Sequence, residues 1–127
     1  MTLALVLIAH GSRHSDANDD TFHMAERLRE RGFPLVQAAF LELAEPDIDT
    51  AAEICVNQGA KRVVLLPYFL SAGVHVRRDL TAAAERLERR FSEVEFTLAE
   101  PIGRHPLLAD VLVARTEESL PLKLPKK

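Results

Sequence analysis

Residues 63 to 66 read Val-Val-Leu-Leu, an unbroken apolar run rich in branched side chains. A strand covered on both faces requires such a run, and strands of that kind belong to parallel sheets flanked by helices. Pro67 has no N–H to donate and ends regular pairing. Ser71, Ala72 and Gly73 then lead to His75, after which Arg77, Arg78 and Asp79 open a helical pattern. An imidazole and two guanidiniums therefore stand where a strand hands over to a helix, which is where open α/β sheets bind ligands.

A second stretch has the same design. Leu3 to Ala9 is another apolar strand and runs directly into His10-Gly11-Ser12-Arg13. A helix then follows, capped at Asp16 or Asn18, with Phe22, Ala25 and Leu28 on one face, and it stops at Gly32. Leu35 to Leu41 reads as a strand that ends at Glu42. After a turn at Glu45-Pro46-Asp47, Ile48, Ala51, Ala52 and Cys55 mark a helix closed by Gly59. The third helix carries Leu80, Ala83, Ala84, Leu87 and Phe91 on one face. Val94 to Ala99 is a shorter strand, residues 101–106 form a loop, and Leu107, Leu108, Val111 and Leu112 mark a last helix.

This alternation predicts an α/β domain over residues 1–120, with a four-stranded parallel sheet and helices on both faces. Right-handed crossovers favour the order 2-1-3-4, which makes the two histidine-bearing strands neighbours. Residues 121–127, with two prolines and a terminal pair of lysines, read as a frayed tail.

Several function classes are excluded. A net charge of −3 argues against nucleic acid as a partner, since phosphate-tracking proteins carry a basic excess. The first apolar run is too short for a membrane span and lacks the flanks of a signal peptide. The expectation is a cytoplasmic protein. Cys55 is the only cysteine; it reads as a buried small hydrophobe on a helix face. No G-x-G-x-x-G, P-loop, C-x-x-C or H-E-x-x-H pattern occurs, which removes dinucleotide, P-loop and closed structural-zinc readings.

What remains is a pair of histidines at the ends of adjacent strands. Imidazole suits cobalt, iron, nickel and zinc, and two histidines leave a metal with open positions, as transfer chemistry requires. Glu42 lies at the same sheet edge and can ligate or accept a proton. Arg13, Arg77 and Arg78, with Ser12, Ser71 and Gly73 in the two connections, are candidates for binding anionic groups near helix N-termini. His14 and His105 are secondary candidates, and His23 reads as a surface residue on the first helix.

HGSR at residues 10–13, AFLEL at 39–43, Glu45-Pro46, PYFLSAGVHVRRDL at 67–80 and EPIGRHP at 100–106 together resemble the short sirohydrochlorin chelatases. The likeness covers roughly residues 3 to 112. It implies a flavodoxin-like chelatase half and the insertion of a divalent metal into a reduced tetrapyrrole. The family's two metal-contacting histidines map onto His10 and His75. The resemblance further implies a homodimer, no permanently bound cofactor, and a metal that is itself a substrate: Co²⁺ first, with Fe²⁺ and Ni²⁺ as alternatives. Two other readings stand beside it. A metal carrier or sensor would bind metal without turnover. Histidine-dependent phosphoryl transfer is disfavoured because Ala9 occupies the position where an arginine would clamp phosphate.

Overall fold

A computed structural model of the chain describes residues 2–120; the stretch read as a tail, 121–127, lies outside the described residues. Strands and helices alternate as β1 (Leu3–Ala9), α1 (Ser15–Glu30), β2 (Leu35–Phe40), α2 (Ile48–Asn57), β3 (Arg62–Pro67), α3 (Val74–Arg90), β4 (Glu95–Leu98) and α4 (Leu107–Ser119). The sheet order is β2-β1-β3-β4. Every pairing is parallel, with Ala9 opposite Phe40 and Ile8 opposite Pro67 at the upper end. All carboxyl ends therefore leave from one edge.

Side chains alternate along β1, and the two faces acquire separate cores. Ala4, Val6 and Ile8 join Val63 and Leu65 against Ala51, Ala52 and Cys55 of α2 and Leu80, Ala83 and Leu87 of α3. Leu5 and Leu7 join Val36 and Ala25 of α1 on the other face. Burying one such leucine contributes about 1.5–3 kcal/mol, so the central strand alone anchors both layers. Cys55 is fully buried, and burial pushes its thiol pKa up to about 11. It is a packing residue.

Helix boundaries differ from the sequence reading in two places. α1 begins at Ser15, with His14 at the N-cap position and no side-chain cap. Neither Asp16 nor Asn18 caps it. Its buried stripe is Thr21, Ala25 and the half-buried Leu28, while Phe22 stays exposed and meets the ring of Phe40 edge-on at 5.5 Å. α3 begins at Val74, three residues before the first arginine, with Gly73 in the N-cap position. His75 is thus a residue of the first helical turn. The strands are also slightly shorter than read: Leu41 and Glu42 lie beyond β2 but still donate to the carbonyls of Ala9 and His10, both at 3.0 Å.

Asp47 caps α2 by accepting from the Thr50 N–H at 2.8 Å. Hydrogen bonding from Thr50, its backbone N–H foremost, holds the Asp47 carboxyl below its ordinary pKa, and the Arg86 charge adds to the effect. Arg86 in turn makes a two-pronged bond to Asp49, at 2.9 and 2.7 Å, joining α3 to α2.

Candidate functional site

His10 is the first residue after β1, and its backbone is fixed from both sides. Its carbonyl accepts from Glu42, while Tyr68 N–H donates to the carbonyl of Ile8 two residues earlier. Gly11 follows with φ +96, and a Cβ there would sit 1.8 Å from the Glu42 carbonyl oxygen. Only glycine fits. The ring of Phe69 lies 4.6 Å from the His10 imidazole, tilted by 33°. The imidazole itself is exposed at the edge of the sheet.

A cavity of about 490 Å³ opens beside it, lined by His10, Glu42, Asp47, Asp49, Val76, Asp79 and Arg86, with Phe40, Leu41, Ile48, Ala82 and Ala83 forming its apolar floor. This volume falls within the range of small-molecule clefts. A shallower cleft of about 300 Å³ lies on the other side, lined by His10, Gly11, Ser12, Asn18, Asp20, Thr21 and Tyr68 among others. His10 is common to both.

The structure brings His10 and Glu42 together on the larger cavity and Ser12 onto the smaller one. His75 lines neither. It is exposed in the first turn of α3, next to Val76, which does face the larger cavity. Because β1 and β3 pair directly, His10 and His75 still follow neighbouring strands of one chain. Ser71 and Gly73 are exposed in the connection ahead of α3. Arg77 is held beside that connection: its Nε donates to the Ala72 carbonyl at 3.3 Å, and its guanidinium lies 3.7 Å from Glu100. Arg13 and Arg78 are exposed and belong to none of the ion pairs among the described residues. His14, His23 and His105 are also exposed, and His105 Nδ1 accepts from the Leu107 N–H at the start of α4.

Two groups of residues at the site were not singled out by the sequence. Asn18 grips the histidine loop: its Oδ1 accepts from Ser12 N–H at 2.9 Å and its Nδ2 donates to the Ser12 carbonyl at 2.8 Å. Asn spaced six residues after Ser carries no helical or strand period, so only the folded loop reveals the pair. Asp47, Asp49 and Asp79 add carboxylates to the Glu42 side of the cavity. Asp79 opens the helical pattern in the sequence but gives no sign there of facing His10. Among the described residues no three His, Cys, Asp or Glu side chains gather closely enough to cage a metal. The arrangement offers imidazole and carboxylate groups on an open rim, with the Arg86 guanidinium on the cavity wall.

Comparison with known proteins adds the following. Residues 4–119 match the model of the CbiX family. The chloroplastic sirohydrochlorin ferrochelatase of Arabidopsis thaliana is 37% identical over 117 residues, covering 91% of this chain and 52% of that protein. The sirohydrochlorin cobaltochelatase of Sulfolobus acidocaldarius is 35% identical over 118 residues and is covered over 93% of both chains. Among solved structures, the sirohydrochlorin chelatase SirB from Bacillus subtilis subspecies spizizenii, in complex with cobalt, superposes with a TM-score of 0.83. It is 28% identical, covering 93% of this chain and 51% of SirB. The chain thus spans about half the length of the plant and Bacillus proteins and nearly all of the Sulfolobus one.

Proposed function

The chain belongs to the CbiX family, and from that membership and the histidine-bearing sheet edge we propose that it is a sirohydrochlorin chelatase, inserting a divalent metal into the macrocycle as a homodimer in the cytoplasm. The observation that carries this reading is the convergence of imidazole and carboxylate groups on one edge: His10, locked by the Gly11–Glu42 contact, opens onto a carboxylate-lined cavity beside the strand that leads to His75.

Insertion of M²⁺ releases two pyrrole protons, so the site must present a metal and accept protons. In this reading His10 and His75 hold the metal through neutral imidazole nitrogens, with positions left open for the pyrrole nitrogens. His10 and Glu42, together on the cavity wall, take up the protons. The carboxylate periphery of the macrocycle pairs with Arg13, Arg77 and Arg78 and with polar groups at Ser12, Ser71 and Gly73. Tethering of Arg77 to Ala72 supports a fixed rather than a searching role for that side chain. Co²⁺ is the metal we assign first, with Fe²⁺ and Ni²⁺ as competitors, since ligand type alone does not separate them.

The test is a spectroscopic assay of sirohydrochlorin with Co²⁺, Fe²⁺ and Ni²⁺ in turn. The expected result is conversion above the spontaneous rate, fastest with Co²⁺, and lost in His10→Ala. Metal binding without any acceleration would instead make the protein a carrier.

A further inference from the structure

Leu43 has a left-handed backbone where a leucine gains nothing from it. Its φ is 64; the other non-glycine residue with positive φ among the described residues is Arg104 at 67, also in a loop leaving the carboxyl edge of the sheet. The conformation is imposed by the residue before it. Glu42 N–H donates to the His10 carbonyl, the Glu42 carbonyl lies against Gly11, and Phe40 N–H closes the loop on the Pro46 carbonyl. With the peptides on both sides of Glu42 pinned, the chain turns at Leu43. Glycine takes such a turn freely and asparagine with little strain, whereas a bulky side chain is strained there.

Packing does not offset that strain. Leu43 is 53% exposed and belongs to neither core. Backbone strain that the fold itself does not use gathers at functional sites.

Two more apolar side chains stand on the same edge without a place in either core: Leu70, 65% exposed, and Val74, 70% exposed. Apart from Phe22 on α1 and the run from Leu107 to Leu120, these three are the large apolar side chains left exposed among the described residues. Their placement follows from the sheet. β2 and β3 flank β1, so Leu43 leaves on one side of His10 and Leu70 and Val74 on the other. Two strand spacings, about 9.6 Å, separate the parent strands. Gly103 presses on the Leu70 carbonyl oxygen, and Phe69 just before it lies against the His10 ring. Arg13 and Arg78, both exposed, add positive charge to this edge. A ligand that suits it is flat, apolar through its middle, wide enough to reach both sides of one strand, and anionic at its rim.

We propose that Leu43, opposite Leu70 and Val74, seats the face of the tetrapyrrole over His10, and that the left-handed turn at Leu43 is kept because it holds the side chain out for that contact. A reduced tetrapyrrole with a carboxylate periphery has this shape and charge. Because Leu43 directly follows Glu42, the contact also sets where the ring lies relative to the carboxylate that takes up its protons. The inference rests on the chelatase reading above and names the side chains that carry the ring.

Urea unfolding, steady-state kinetics and light scattering on the full chain test it. Leu43→Gly relieves the turn and removes the side chain. It is expected to raise the urea midpoint and yet to raise the KM for sirohydrochlorin about fivefold to tenfold, as losing half of a leucine's burial would, with the KM for Co²⁺ unchanged. Leu43→Asn should act in the same direction, and Leu43→Met should keep the wild-type KM. Leu70→Ser is expected to raise the KM for sirohydrochlorin with an unchanged midpoint. A Leu43→Gly chain with a higher midpoint and a wild-type KM would overturn the seat, and a lower midpoint would show the side chain serving the fold instead. A mass that falls in Leu43→Gly or Leu70→Ser would assign these side chains to a contact between copies and overturn the seat as well. Wild type that neither binds nor metallates sirohydrochlorin would overturn the chelatase reading and the seat together. Wild type that turns over, with both variants matching it, would overturn the seat alone.

Discussion

Gly11 concentrates two demands that no other residue meets: a φ of +96 and a Glu42 carbonyl at the point where a Cβ would stand. Gly32 separates them, since it has a φ of +107 but nothing within 4 Å. Gly32→Ala is expected to cost about 1–3 kcal/mol of stability from backbone strain alone, with chelation per folded molecule unchanged. Gly11→Ala should cost more stability and also lose most chelation, because relieving the clash moves Glu42 or His10. Urea unfolding alongside turnover of sirohydrochlorin checks both, and equal activity of the two variants would sink the positioning role. At this scale the sequence showed His10, Glu42 and Gly11 because each ends or breaks an apolar run. It did not show Asn18 or Asp79, whose roles depend on which way a loop and a helix face turn.

Among the elements, α2 illustrates how a local signal survives into the fold. Glu45-Pro46-Asp47 reads as a turn into a helix, and Asp47 caps it. Removing an aspartate cap typically costs about 0.5–2 kcal/mol, so Asp47→Ala is expected to lose that much at neutral pH. The folded carboxyl is held below its ordinary value of 3.8. The charged cap therefore stabilises fully above that value, and its contribution fades as pH falls through the lowered one. The gap between wild type and Asp47→Ala in urea unfolding should accordingly narrow below about pH 4; a gap that widens there would contradict the assignment. α3 was harder to read. Its apolar face from Leu80 to Leu87 was plain, but Val74-His75-Val76 carries no helical period of its own and resembles more strand. Gly73 in an extended N-cap conformation starts the helix there, and this moves His75 from a loop onto a helical turn.

At the scale of the molecule, strand order bears on which copy in the proposed dimer supplies each histidine. That order was legible because βαβ handedness leaves few topologies for four short strands; the exposure of α4, none of whose residues is buried, was not, since an apolar helix pattern announces burial without naming the surface. β1 and β3 pair directly, residue for residue from Leu3–Arg62 to Ile8–Pro67, and adjacent strands lie about 4.8 Å apart. His10 and His75 of one copy therefore follow the same edge of the same sheet. In the proposed homodimer the second copy has the task of enclosing the macrocycle, and the metal pair is left to one chain. Co-refolding His10→Ala with His75→Ala chains tests this. Random pairing about a twofold axis places about half of all dimers in the mixed class. If each site draws both histidines from one chain, no mixed dimer holds an intact pair, and chelation stays at the level of the single variants. If each site draws one histidine from each copy, every mixed dimer regains one of its two sites. Recovery of about a quarter of wild-type chelation on this twofold count would then assign the metal pair to the interface and leave the adjacency of β1 and β3 without a catalytic purpose.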